Sequence, residues 1–189
     1  QRGRQLPYID RLVFVLADKA VIPLKASTGE ADLQARYLNF DQYPFLKKNE
    51  RPGGYRVYLW STATTAEVAL YPNLTTSDPF MRKILQDRRF RRALSLAIHR
   101  DEINKILFFG FGKPGQNTVL RSPMPHQTGL RMASAKFDLV EANRLLDDMG
   151  LTVRDARGFR LRPDGKRLDI IVETDGESTE QRGVLELVA

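Results

Sequence analysis

The sequence predicts a mixed α/β fold, because two kinds of apolar pattern with different periods occur along the chain. Short runs rich in aliphatic, β-branched and aromatic residues, at 12–16 and 55–60, are typical of strands. Apolar residues recur at helical spacing around 90–98 and again at 139–149. The chain has 189 residues and is 42% hydrophobic, which is enough to bury the core of one large domain or two small ones.

The predicted strands and helices follow one another along the whole length of the chain. Proline and glycine separate them, and the polar stretch 61–79 is the predicted crossing between two structural units. In order, the predicted elements are a strand over 12–16, a turn at Gly29, a helix over 41–50, strands over 55–60 and 68–71, helices around 90–98 and 103–107, a helix over 138–149 ending at Gly150, a hairpin turning at 163–165 into a buried strand over 168–172, and a helix from Ser178 or Thr179.

The composition excludes some classes of protein. There is no cysteine, which excludes disulfides and thiol nucleophiles, and no apolar run approaches the length of a membrane span. The first residue is Gln, and no secretory leader precedes the first strand. We therefore expect that the chain is an internal piece of a longer protein.

The positive charge of the chain is concentrated in one segment. The formal net charge is +7, and residues 82–100 hold seven Lys or Arg and one acid, hence +6. Such a patch suits a phosphate backbone or the solvated face of a helix. We favour the solvated face, because Phe90 falls on the apolar side and no exposed aromatics accompany the basic residues. The alternative is a nucleic-acid-binding domain that uses Arg88, Arg89, Arg91 and Arg92.

No motif predicts catalysis, a metal site or a cofactor. The string GFGKPG at 110–115 fits the dinucleotide pattern G-x-G-x-x-G, but it follows a helix and contains Pro114, so a helix-ending turn is the better interpretation. The two histidines, His99 and His126, lack metal-ligand spacing. No nucleophile motif surrounds Ser95 or Ser122. We therefore expect no enzyme activity, no metal and no cofactor.

The segment DRRFRRALSLAIHRDEINKILFFGFGKPG resembles a motif of the extracellular solute-binding proteins of peptide-type ABC transporters, bacterial family 5. Four further blocks resemble the same family in the same order: LPYIDRLVF, STGEADLQAR, FDLVEANRLLDDMGL and RPDGKRLDIIVET. One residue departs from the pattern, because His99 stands where the family has Asp or Asn. Since His is a poor helix cap, we expect a loss of stability of about 1 kcal/mol there.

The resemblance implies a two-lobed periplasmic-binding-protein-like fold (type II, cluster C), of which this chain would be a central portion. Residues 1–70 would belong to the first lobe, 71–80 to the crossover and 81–189 to the second lobe. The implied function is to capture a peptide, an oligosaccharide or a conjugate between the lobes and to deliver it to a membrane permease, in the periplasm and without nucleic acid. Trp60, Tyr71 and Asn73 would line the cleft, since aromatic walls and an amide suit such solutes.

Overall fold

The chain divides into two compact units, Gln1–Leu59 and Trp60–Ala189. The computed structural model describes residues 3, 6–60, 66–118, 126–174, 176 and 178–189, and of 126–128 it describes the backbone alone. Part of the predicted crossing, 61–65, lies outside the described residues. The predicted boundaries of the lobes stay a prediction.

The first unit is built from short helices. They are α1 (Ile22–Ser27), a 3-10 turn (Phe40–Gln42), α2 (Tyr43–Lys48) and α3 (Glu50–Gly53). The buried residue Leu46 lies on α2, and its carbonyl accepts a 2.6 Å hydrogen bond from the Tyr55 hydroxyl. These elements confirm the predicted helix over 41–50 and extend it to Gly53. Pro52 fits there because the first turn of a helix leaves its N–H groups without intrahelical partners.

The predicted turn at Gly29 is confirmed. Gly29 has a φ of +76°, and a Cβ at this position would lie 2.4 Å from the Gly53 carbonyl oxygen. Only glycine therefore fits where the end of α1 passes α3.

The predicted strands are not formed within the described ranges. The structure contains only two isolated bridges there, Arg154 with Arg160 and Leu161 with Arg167. Residues 12–16 are exposed along their whole length, and Leu16 is 97% exposed. A strand forms only where a neighbouring strand takes up its backbone hydrogen bonds, and the described chain supplies none for 12–16, 55–60 or 68–71. Within the described residues the β part of the predicted α/β fold is therefore not confirmed.

The second unit contains the longer helices. They are α4 (Pro79–Gln86), α5 (Arg88–Ala97), α6 (Arg100–Leu107), α7 (His126–Met132), α8 (Leu139–Asp147) and α9 (Thr179–Val188). Five of them begin at a side chain that accepts a hydrogen bond from the first turn, which stabilises the start of a helix. These caps are Asp78, Asp87, His99, Asp138 and Ser178.

The core of the second unit lies where α5 packs against α8. Phe90 and Leu96 of α5 are 1% and 2% exposed, and Leu151, just after α8, is 2% exposed. The buried stripe of α5 therefore includes Leu96, whereas Ala97, which the periodicity assigns to the apolar face, is exposed. Gly150, with a φ of +79°, ends the helical turn that follows α8 and so confirms the predicted stop.

The predicted hairpin turn at 163–165 is confirmed. Gly165 has a φ of +80°, and its N–H donates to the Arg162 carbonyl at 2.9 Å. The backbone pairing continues as far as Leu168, whose N–H donates to the Arg160 carbonyl. The predicted buried strand over 168–172 is wrong for the described chain, because Ile171 is 86% exposed and has no neighbouring strand.

Candidate functional site

A cavity of about 540 Å³ lies within the second unit. Its apolar surface comes from three helices and from the loop that follows α6. Leu94 lies on α5, Ile103 on α6 and Val184 on α9, while Phe108 begins the loop. The segment 66–72 also borders the cavity. A pocket with an apolar floor and a few convergent polar groups is typical of a small-molecule site.

Ser95 is the centre of the polar network at this cavity. Its hydroxyl accepts hydrogen bonds from Arg100 Nη2 at 2.8 Å and from Gln116 Nε2 at 2.6 Å, and it donates to the Ser134 carbonyl at 2.8 Å. Arg100 Nη1 also donates to the Ser95 carbonyl at 2.7 Å. One hydroxyl thus connects α5 to the start of α6 and to two loops.

The loop after α6 is held by close approaches that only glycine permits. Gly112 N donates to Asn104 Oδ1 at 2.8 Å, and Asn104 Nδ2 donates back to the Gly112 carbonyl at 3.1 Å. A Cβ on Gly112 would lie 2.6 Å from that Oδ1, and one on Gly115 would lie 2.9 Å from Arg131 Cγ. The string GFGKPG therefore forms the turn after a helix, as predicted, and it shapes one wall of the cavity.

The charged residues around the cavity are mostly basic. Three half-buried arginines and one exposed lysine line it, against a single exposed acid, Glu67. Within the described residues, no carboxylate lies within 4.0 Å of any of these four cations. The four are Arg91, Arg100, Lys113 and Arg131.

The guanidinium groups have carbonyl and hydroxyl partners instead. Arg91 Nη1 donates to the Gln86 carbonyl at 2.6 Å, and Arg131 Nη2 donates to the Lys113 carbonyl at 2.8 Å. Burial lowers the pKa of the Arg100 guanidinium below its usual range, although the group stays charged. Carbonyl oxygens satisfy the donors, but they leave the net positive charge in place.

A second cavity, of about 660 Å³, differs in its charge balance. Arg92 and Lys136 face three acids there, Asp101, Asp138 and Glu141. Lys136 Nζ lies 2.7 Å from Asp138 Oδ2, and the charge of Arg92 helps to lower the pKa of Glu141 after the larger effects of Arg144. The cations of this second cavity are thus balanced by acids of the fold. We therefore take the cavity of about 540 Å³ beside Ser95 as the candidate site.

The three predicted cleft residues do not line this cavity. Trp60 and Tyr71 are 70% and 78% exposed, and the Tyr71 hydroxyl accepts a 2.5 Å hydrogen bond from Asn117 Nδ2. Asn73 Oδ1 accepts hydrogen bonds from the N–H and the hydroxyl of Thr75, so Asn73 shapes a local turn. Their neighbours Leu70 and Pro72 border the cavity. Their role in solute binding stays a prediction.

Two arginines of the α5 cluster form contacts within the fold, and the other two are exposed side chains of the same helix. Arg89 forms an ion pair with Asp87 at 2.7 Å and donates to the Asp148 carbonyl, while Arg91 binds the end of α4. Arg88 and Arg92 are exposed. Arg89 is thus held by a carboxylate of the fold, and nothing supports the nucleic-acid alternative.

His99 has a structural role in this unit. His99 Nδ1 accepts from Glu102 N at 3.1 Å, and its ring lies 4.4 Å from that of Phe137. The expectation that His99 caps poorly overlooked this ring nitrogen, which takes the place of a carboxylate oxygen. Ser122 and the His126 side chain lie outside the described residues. Over the described ranges, no group of acids and histidines could hold a metal ion, and no helix is long and apolar enough to cross a membrane.

Sequence analysis did not identify Ser95, Asn104 or Gln116 as site residues. Ser95 stands between Leu94 and Leu96 in the sequence, but successive residues of a helix lie about 100° apart, so its position gave no local signal. Asn104 and Gln116 meet their partners only after the loop has folded back.

Comparison with known proteins identifies the family. The chain matches the family described as "Bacterial extracellular solute-binding proteins, family 5 Middle" over residues 2–189. It is 22% identical over 192 residues to a "Probable ABC transporter-binding protein" of Deinococcus radiodurans, covering 98% of this chain and 32% of that protein. A solved "oligopeptide-binding protein OppA" superposes with a TM-score of 0.58 at 40% sequence identity, over 80% of this chain and 25% of that one.

The chain thus spans a quarter to a third of the length of these relatives. The structural likeness also supports a periplasmic-binding-protein-like fold. Because the family match covers nearly every residue, the chain belongs to the family 5 bacterial extracellular solute-binding proteins.

Proposed function

We propose that the chain is part of the substrate-binding component of an ABC transporter, which captures a peptide and delivers it to a membrane permease. The observation that carries this proposal is the family match over residues 2–189. The 40% identity to an oligopeptide-binding protein supports a peptide as the solute. An oligosaccharide or a conjugate is the second candidate, since a cavity with an apolar floor and polar rim suits these solutes as well.

The proposal includes a two-lobed α/β fold with residues 1–70 in one lobe, 71–80 in the crossover and 81–189 in the other. The exposed apolar segments 12–16 and 170–172 favour it. Such segments are typical of sheet strands, and a sheet would cover them with further strands. Ligand that contacts both lobes would stabilise the closed arrangement.

In this arrangement Trp60, Tyr71 and Asn73 would lie at the cleft beside the crossover. The exposure of both aromatic side chains leaves their faces open to a solute. A periplasmic location and the absence of enzyme activity belong to the same proposal, because the related proteins are binding proteins of transporters.

Thermal unfolding of the full-length protein tests the proposal. The panel contains short peptides, oligosaccharides, amino-acid conjugates and duplex DNA. A solute at about a hundred times its Kd stabilises the folded state by roughly 2.7 kcal/mol, so one of the small solutes should raise the Tm. If duplex DNA alone raises the Tm, and salt abolishes the effect, the nucleic-acid alternative is correct and the proposal is wrong.

A further inference from the structure

We propose that the cavity bordered by Arg91, Arg100 and Arg131 holds an oxyanion of the bound solute, a carboxylate or a phosphate. This inference rests on the proposed function, because it specifies the chemistry of the same solute.

The first support is the charge imbalance at this cavity. The cavity lining holds Arg91, Arg100, Arg131 and Lys113 and one acid, Glu67. None of the four cations lies within 4.0 Å of a carboxylate in the part of the chain that the structure describes. Arg91 helps to lower the pKa of Asp87, which lies outside the lining, after the larger effect of Arg89. A half-buried guanidinium group loses part of its hydration and is stabilised by a counterion. An anionic group in the cavity would supply the missing negative charge.

The second support is the contrast with arginines elsewhere in the same unit. Arg144 lies 2.7 Å from Glu141, Arg160 lies 2.6 Å from Asp147, and Arg162 lies 2.7 Å from Asp78. The fold therefore pairs even its nearly buried arginines with carboxylates away from the cavity. Among the described arginines of this unit that are not exposed, those at the cavity alone lack a carboxylate within 4.0 Å, whereas exposed arginines such as Arg82 and Arg154 lack one as well.

The third support is the position of the cations beside an apolar floor. Leu94, Ile103 and Val184 line the same space as Arg100 and Arg131. A solute with an oxyanion next to an apolar portion would contact both surfaces. Guanidinium suits this role, since its planar fork of donors matches carboxylate and phosphate oxygens.

The test compares two pairs of probes that differ in one charged group. Titration calorimetry on the full-length protein uses trialanine against its C-terminal amide, and a phosphorylated glucose against glucose. The charged member of at least one pair should bind about tenfold more tightly or better, because hydrogen bonds to charged groups are worth more than one tenfold step in affinity. The preferred pair identifies carboxylate or phosphate as the source of the charge.

Substitution then assigns the preference to the cavity. Arg131→Gln should reduce the affinity for the charged probe about tenfold and leave its neutral counterpart unchanged. Lys113→Gln is a second variant, because the Lys113 side chain is exposed and its loss leaves the fold intact. Arg88→Gln removes an exposed arginine of α5 that does not line the cavity, and it should leave both affinities unchanged.

The outcomes separate this inference from the proposed function. If trialanine and its amide bind equally and neither cavity variant changes their affinities, the oxyanion inference is wrong while peptide capture stands. If only the phosphorylated sugar binds, and Arg131→Gln weakens it, the inference holds and a peptide solute is excluded. If no probe of either pair binds, the oxyanion inference is wrong, and the panel of the unfolding experiment decides the proposed function separately.

Discussion

Arg162 Nη1 donates to Asp78 Oδ2 at 2.7 Å, so one ion pair connects residues that are 84 positions apart. The other carboxylate oxygen of Asp78 caps α4, since it accepts from Phe80 N and Met81 N. Arg162 also forms an ion pair with Asp164 in the hairpin turn. Asp78 therefore combines two tasks, because it starts a helix and attaches the hairpin to it.

Substitution of Asp78 should separate these two tasks. Asp78→Ala removes the cap and the ion pair, and it should lower the free energy of unfolding by about 1–2 kcal/mol, mostly through the cap. Asp78→Asn keeps a capping oxygen and removes the charge and the acceptor for Arg162, so its loss should be smaller. Urea denaturation of both variants measures the difference. Equal losses in the two variants would show that the cap contributes nothing.

Acid should weaken the same attachment. The N–H of Met81 and then Arg162 lower the pKa of Asp78, and Arg162 lowers the pKa of Asp164. Because both folded-state pKa values lie below the usual value of about 3.9, their contribution to stability is complete above that pH and is lost as the pH falls through the folded values.

Thermal unfolding between about pH 5 and pH 2 measures this dependence, and Asp78→Asn should show a shallower fall of the Tm than the unsubstituted protein. A steeper fall in the variant would contradict the assignment.

Ser95 should be important for stability, because its hydroxyl has three hydrogen-bond partners. Ser95→Ala leaves Arg100 Nη2 and Gln116 Nε2 without their shared acceptor and should cost about 1–3 kcal/mol. Ser77→Ala, at an exposed serine in the same unit, is the matched control and should change stability by less than about 0.5 kcal/mol. Chemical denaturation of both variants makes the comparison. A Ser95→Ala protein as stable as the control would show that the network contributes nothing.

His99 should cap α6 through its ring nitrogen. His99→Ala removes the acceptor for Glu102 N and should cost about 1 kcal/mol. His99→Asn restores a capping oxygen but loses the ring contact with Phe137, so it should recover most of the loss. Thermal unfolding ranks the two variants. If His99→Asn is no more stable than His99→Ala, a capping oxygen contributes nothing at this position.

Local patterns in the sequence predict much of the helical structure. Phe90 and Ala93 lie on the buried face of α5 as their spacing requires, and Gly150 supplies the positive φ at which the turn after α8 ends. The periodicity places Ala97 on the buried side, whereas the structure buries Leu96 instead. Packing against α8 decides which edge of the apolar face is covered, and the local sequence does not show it.

Contacts between distant residues could not be predicted. Nothing in the local sequence of Asp78 indicates Arg162, and Gln116 reaches Ser95 only because the glycine loop folds back. The predicted strands are not formed within the described ranges for a related reason. The run 12–16 has the composition of a strand, but pairing depends on a second segment. Trp60, Tyr71 and Asn73 were inferred from family resemblance, and none of them lines the basic cavity.

Native mass spectrometry of the full-length protein, mixed with an equimolar library of short peptides, tests the central claim most directly. The account predicts that one peptide, or a small set, is retained on the folded protein at a ratio of one to one and is released on unfolding. Retention of duplex DNA with no retention of any peptide would contradict the account.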